Sequence, residues 1–191
     1  MNLPNQLTLL RIALSFVLIL FLLAPGFSAK LTALAIFILA SLTDLWDGLL
    51  ARRKGQVTDF GILMDPIADK ILVLSAFLAF VQLNVVPAWM VALIATREFL
   101  VTGIRIFALG KGHVLPAEAG GKHKTVSQIV AISVTLLFLV IQAAVGSNPR
   151  NSNWIYWGEV GIWVLMVTTV VLTLTSGISF MWRHRRLILG L

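Results

Sequence analysis

The sequence predicts an all-α fold, an integral membrane bundle of six transmembrane helices. Three observations carry that prediction. The chain is 59% hydrophobic, with a mean hydropathy of +0.95. Only 12% of its residues are charged, where a soluble domain averages about a quarter. The apolar residues also fall into six runs, each near the roughly 20 residues that cross a bilayer as helix.

The first run, Thr8 to Leu23, stops at the turn dipeptide Pro25-Gly26. Small residues near Ser28-Ala29 suit a signal-peptide cleavage site. Arg11 is the only early positive charge, however, and removal would leave five spans, so the segment is read as retained. The second run, Leu31 to Leu50, leads into Arg52, Arg53, Lys54 and Gly55. The third, Phe60 to Leu83, ends at Asn84. Pro87 opens the fourth, which reaches Leu109, because proline suits the first position of a helix. Gly110 to Gly121 separates it from the fifth, Thr125 to Val145, and the polar stretch GSNPRNSN precedes the sixth, Trp157 to Met181. No internal repeat or low-complexity tract interrupts this pattern, so residues 1–191 read as a single membrane-embedded domain.

The net charge is +7, but the basic residues gather in short polar gaps. That pattern suits membrane orientation and not a nucleic-acid-binding stripe. Arg52, Arg53 and Lys54 follow the second run, Lys111, Lys122 and Lys124 follow the fourth, and Arg183, Arg185 and Arg186 lie in the tail. The alternate gaps hold only Lys30 and Arg150. The positive-inside rule then places both termini in the cytoplasm. Trp154, Trp157 and Trp182 fall where interfacial aromatics are expected. With no cysteine, disulfides, thiolate nucleophiles and thiolate metal sites are excluded.

Against this apolar background, Asp44, Asp47, Asp65 and Asp69 need a reason. At about 100° per residue, Asp44, Asp47, Gly48 and Ala51 share one helix face, as do Gly61, Asp65 and Asp69. Asp47 and Asp44 lie roughly 7 and 12 Å from Arg52, and Asp65 and Asp69 roughly 9 and 15 Å from Asp59. On antiparallel helices the two acidic pairs therefore meet at one level. Glycine and alanine on those faces leave room for a ligand. An aspartate at the centre of a membrane costs about 2.5 to 3.5 kcal/mol, and mutual repulsion adds to this. The adjacent bases are too few and too shallow to neutralise four such groups. Divalent cations can do so, and an all-oxygen donor set favours Mg²⁺ or Mn²⁺ over zinc. Two ions about 4 Å apart would form a clamp for in-line phosphoryl chemistry. Asp59 is read separately, as a carboxylate stabilising the first turn of a helix.

Asp44, Asp47, Gly48, Ala51, Arg52, Gly61, Asp65 and Asp69 spell D-x2-D-G-x2-A-R-x8-G-x3-D-x3-D. This is similar to the signature of the CDP-alcohol phosphotransferases, membrane enzymes of six helices. The resemblance implies that an alcohol hydroxyl attacks the lipid-side phosphate of a CDP-linked lipid and releases CMP. It implies that Asp44, Asp47 and Asp65 bind the metals, with Asp69 a further ligand and the general base. It assigns Gly48, Ala51, Arg52, Thr58 and Gly61 to the CDP-lipid, together with Asn5 and Thr8 in the opening NLPNQLTLLR, where Arg11 also lies. Homodimers and a bacterial inner-membrane location with a cytoplasmic active site are further implications. Pro66, directly after Asp65, frees a backbone carbonyl and is expected to open the helix around the metal site.

The acceptor is read from the other polar residues inside the spans. Arg97, Thr102 and Arg105 lie in the fourth run, and Lys122, Lys124 and Gln128 lead into the fifth. Guanidinium forks and nearby lysines suit the phosphate of an anionic acceptor. Pairing of Arg97 with Glu98, and a purely topological role for the lysines, are the competing readings. The stretches DPIADK, REFLVTGIR and GKHKTVSQ resemble the branch of the family that takes sn-glycerol 3-phosphate. Serine, inositol phosphate and phosphatidylglycerol are the alternative acceptors of sister enzymes. A divalent-cation transporter would also use buried acids, but it leaves Arg52, Arg97 and Arg105 without a task and expects carboxylates near the midplane. His113, His123 and His184 show no ligand spacing and read as interfacial.

Overall fold

A computed structural model describes residues 3–54, 59–110, 119–145 and 152–185; within them, the side chains of 3–5, 7, 44–54, 59–63, 65–66, 119–122 and 152 are outside the description. Among the described residues there are six helices and no strand. They are α1 (Leu3–Leu23), α2 (Phe27–Lys54), α3 (Asp59–Gln82), α4 (Ala88–Gly110), α5 (Ala119–Val145) and α6 (Ser152–Arg183). At 21 to 32 residues, each is about 31 to 48 Å long, enough to cross a hydrocarbon core of about 30 Å. Four of them outrun their apolar runs: α2 continues to Lys54 and α6 begins at Ser152. A helix does not end where hydrocarbon ends, because its backbone bonds persist through the headgroup layer.

Two tight connections bear out the turn signals. Gly26, at φ 97, turns α1 into α2. Asn84, at φ 57, ends α3, with the Val85 amide donating to the Phe80 carbonyl at 3.0 Å. That is the left-handed cap asparagine tolerates. Pro87 stands just before α4, and its carbonyl accepts from the Met90 amide. The expectation at Pro66 is not met, because α3 runs unbroken from Asp59 to Gln82. The proline costs one backbone bond, to the Ile62 carbonyl. Helices in a bundle tolerate that loss when neighbours support them.

The bundle has an apolar exterior and a partly polar interior. Leu20, Phe16 and Phe99 are 69%, 60% and 62% exposed, whereas Arg11, Glu98 and Gln128 are 1%, 4% and 3% exposed. A soluble bundle would show the reverse, since its polar faces meet water. Hydroxyls within the helices bond to their own backbone: Ser15 to Arg11, Thr135 to Ala131, Thr169 to Leu165 and Thr175 to Val171. This internal satisfaction is what hydrocarbon demands. Trp157 and Trp182 are both exposed. They stand about 37 Å apart along α6, matching the two interfacial belts. By length and apolar composition, His123–Val145 and Asn153–Arg183 can each cross a membrane, while Thr8–Leu23 and Phe27–Thr43 are shorter apolar stretches. α3 and α4 are less uniformly apolar, since Asp65, Asp69, Lys70, Arg97, Glu98 and Arg105 lie within them.

α1 packs on α2 and α3, α4 on α3 and α6, and α5 on α2 and α6. Successive helices reverse direction, so the N-terminal halves of α1, α3 and α5 share one end with the C-terminal halves of α2, α4 and α6. The two ends differ in kind. Leu18, Leu22, Phe37, Phe77, Phe80, Met90 and Leu136 belong to one buried apolar cluster in the far half. The near half holds the buried polar residues Thr8, Arg11, Arg97, Glu98, Lys124 and Gln128.

Candidate functional site

The near end is organised around Glu98, which α4 carries into the interior. Its Oε1 accepts from three donors: Arg97 Nη1 at 3.2 Å, Gln128 Nε2 at 3.4 Å and Lys124 Nζ. Its Oε2 faces α3, with Lys70 Nζ at 4.0 Å. Gln128 lies one helical turn beyond Lys124, so α5 presents both on one face. The Arg97 guanidinium spans two helices, because its Nη2 also donates to Ser176 Oγ on α6 at 2.8 Å. Gly177 makes this approach possible. A Cβ there would stand 2.7 Å from Arg97 Cγ and 3.2 Å from its Nε.

Arg105 lies two turns beyond Arg97, with its guanidinium carbon 5.3 Å from the centre of the Phe180 ring. Its Nε is buried without a hydrogen-bond partner among the described residues, so it can donate to a bound oxyanion. Thr102 is half-buried on the same face of α4 as Glu98. His184 Nδ1 lies 3.0 Å from the Phe180 carbonyl, which can only accept from it, and His123 is exposed. Of the residues expected to hold an acceptor phosphate, the structure brings Arg97, Lys124 and Gln128 together and places Thr102 and Arg105 along the same helix. The Lys122 side chain lies outside the described residues. The competing pairing of Arg97 with Glu98 is also present, so the site contains its own anion.

Thr8 and Arg11 are buried on α1, which packs directly on α2 and α3. Asp69 is half-buried on α3, next to Lys70. The side chains of Asn5, Asp44, Asp47, Gly48, Ala51, Arg52, Gly61 and Asp65 lie outside the described residues, as do Thr58 and His113 entirely. The helix bounds still fix levels. Asp44 is ten residues before the end of α2 and Asp69 ten after the start of α3, while Asp47 and Asp65 are seven and six from the same ends. Each pair therefore sits about 10 to 15 Å along its helix from the shared turn. The helix bounds thus carry positions 44 and 47 of α2 and 65 and 69 of α3 at matching distances from the facing helix ends.

Sequence reasoning missed the central place of Glu98 and the parts of Lys70, Ser176 and Gly177. A polar Ser-Gly pair inside the last apolar run was the available signal. A cleft of about 680 Å³ opens at the far end, and among the described residues its ionisable lining groups are Lys30 and Glu159.

A family model described as CDP-alcohol phosphatidyltransferase matches residues 1–175. A Bacillus subtilis (strain 168) protein named CDP-diacylglycerol–glycerol-3-phosphate 3-phosphatidyltransferase is 41% identical, over 89% of this chain and 90% of that protein. A Mycobacterium tuberculosis protein named probable phosphatidylglycerophosphate synthase is 40% identical, over 100% of this chain and 85% of its own length. A Rickettsia bellii relative with the same name as the Bacillus protein is 39% identical, over 89% of this chain and 90% of its own.

Proposed function

Since the chain belongs to the CDP-alcohol phosphatidyltransferase family, we propose that it transfers the phosphatidyl group of CDP-diacylglycerol to sn-glycerol 3-phosphate. The products are phosphatidylglycerophosphate and CMP. The observation that carries the acceptor is the cluster of the buried Arg97 and Lys124 with the half-buried Lys70. It stands at the carboxylate end of the bundle and touches the helix that carries Asp69. A serine acceptor has no phosphate for such a cluster to hold.

Asp44, Asp47, Asp65 and Asp69 would hold two Mg²⁺ or Mn²⁺ ions. When bound, these would neutralise the pyrophosphate and stabilise charge on the departing CMP. Arg52 and Thr58 bind the nucleotide, Gly48, Ala51 and Gly61 leave space for it, and Asn5 and Thr8 line it from α1. Arg97, Arg105, Lys122, Lys124, Thr102 and Gln128 orient the acceptor by its phosphate, which fixes the hydroxyl at the other end of the molecule. Asp69 takes the proton of that hydroxyl as its oxygen bonds to the phosphatidyl phosphorus. The bond from that phosphorus to CMP breaks, and CMP leaves with the electron pair. Both substrates reach the site from the cytoplasmic leaflet of a bacterial inner membrane, where the chain sits as a multi-pass homodimer among membrane lipids. No nucleic acid takes part.

The test is CMP release from CDP-diacylglycerol by purified protein with Mg²⁺, comparing glycerol 3-phosphate, serine, inositol phosphate and phosphatidylglycerol. Release with glycerol 3-phosphate, lost in Asp69→Asn, is expected. Release only with another alcohol would overturn the reading of the cation cluster while leaving the reaction class in place.

A further inference from the structure

We infer that Glu98 is a positioning residue for the acceptor. It is a buried counter-anion that ties cations from three helices into one array and links that array to the helix of the general base. The inference rests on the acceptor reading above and goes beyond it, because Glu98 would touch neither substrate.

The geometry shows a division of labour between its two oxygens. Oε1 takes Arg97, Lys124 and Gln128, fixing α4 to α5. Oε2 is turned to Lys70 on α3, next to Asp69. A carboxylate present only to neutralise one misplaced arginine would not need donors from two further helices. Arg97, Lys124 and Lys70 repel one another, and the repulsion is strong where water is excluded. Without a central anion they would relax apart, each towards its own polar neighbour. With it, the three sit within one carboxylate's reach, close enough together for a single oxyanion to meet more than one of them. The array is thus preassembled for a tetrahedral oxyanion. Ser176 and Gly177 hold the far side of Arg97. Glu98, Arg97 and Lys124 are all buried, so water does little to screen or rearrange the array.

Glu98→Gln preserves shape and one acceptor oxygen but removes the charge. Glu98→Asp keeps the charge and shortens the reach by one methylene. Steady-state CMP release is measured for both, with glycerol 3-phosphate and CDP-diacylglycerol varied in turn, alongside calorimetric binding of glycerol 3-phosphate without turnover. In Glu98→Gln, the KM and Kd for glycerol 3-phosphate should rise about 10- to 100-fold, as expected when charge-assisted hydrogen bonds to the acceptor are broken or misaligned. kcat and the KM for CDP-diacylglycerol should change less than about threefold. Glu98→Asp should recover part of the loss. Lys124→Met should cost much less in the Glu98→Gln background than alone, since coupled residues are non-additive.

An unchanged acceptor KM with a lower yield of folded protein would make Glu98 merely structural and overturn the inference. So would a lower KM, which would mean that Glu98 occupies the phosphate position and obstructs it. If the wild-type protein neither binds nor uses glycerol 3-phosphate, the acceptor reading itself has failed. That outcome is distinguished by the wild-type binding isotherm before any variant is compared.

Discussion

Gly177→Ala adds a single carbon, and the structure says where it lands. The new Cβ would stand 2.7 Å from Arg97 Cγ, against an optimal carbon–carbon separation of about 3.5 to 4.0 Å. The arginine stem must therefore retreat by about 1 Å. Cγ is near the backbone, so the displacement is carried outward to the guanidinium. The 2.8 Å bond from Nη2 to Ser176 then stretches to about 3.8 Å, beyond hydrogen-bonding range. A bond to a charged group contributes about 1.5 to 3 kcal/mol. Arg97 keeps its 3.2 Å contact to Glu98, so the lower figure applies and the acceptor KM should rise about tenfold. Stability should respond differently. Replacing glycine within a helix gains about 0.5 to 1 kcal/mol, offsetting part of the overpacking. Gly161→Ala is the matched control, since a Cβ at Gly161 meets nothing within 4 Å on the same helix. Equal acceptor KM values for the two variants, both folded, would refute the claim that α6 positions Arg97.

Chelation with EDTA should bring CMP release to background, and Mg²⁺ or Mn²⁺ should restore it; turnover that persists after exhaustive chelation would remove the metals from the reaction. Gly158→Ala should act at the other end, because a Cβ there would overlap the Phe138 ring. Overpacking of about 1 to 3 kcal/mol should lower the unfolding temperature without moving the acceptor KM, and a changed KM would show that the two ends are coupled. Arg105→Lys keeps the charge but loses the planar stack over Phe180. Its acceptor KM should rise about threefold to tenfold, and an unchanged value would place Arg105 outside the acceptor site.

The parts of this protein that sequence alone reveals are those governed by period. Six apolar runs give six helices because hydrocarbon leaves the backbone no other way to bond. The aspartates at 44, 47, 65 and 69 stand out in the sequence because helical spacing puts each pair on one face, and the bounds of α2 and α3 set the pairs at matching distances from the facing helix ends. Glu98 has no such signal. Its sequence neighbour Arg97 is one residue away, a spacing that does not place side chains face to face. Lys124, a second of its partners, lies 26 residues on, across a connection whose geometry no local rule supplies. Gly177 is one of 14 glycines, and nothing in its surroundings points to Arg97, which reaches it only through packing of α4 on α6. Lys70 reads naturally as a partner for the adjacent aspartates, yet Glu98 lies 4.0 Å away on α4.

α3 and α4 each hold three charged residues inside their apolar runs, whereas the runs of α5 and α6 hold none and one. α3 and α4 carry Asp65, Asp69, Lys70, Arg97, Glu98 and Arg105 through a region where each charge is costly in isolation. Charges of both signs at one level offset much of that cost, which is why the acids and bases converge instead of spreading along the helices. Convergence in turn requires the rest of the bundle to be held by other means. Phe77, Phe80, Met90, Ile94 and Leu136 are fully buried in the apolar half, and their packing does not depend on the state of the polar end. If the acceptor binds at Arg97 and Lys124 as proposed, their polar partners would rearrange while the far half keeps the helices in register. Substitutions in the far half should register first as loss of folded protein, and those around Glu98 as a change in acceptor affinity.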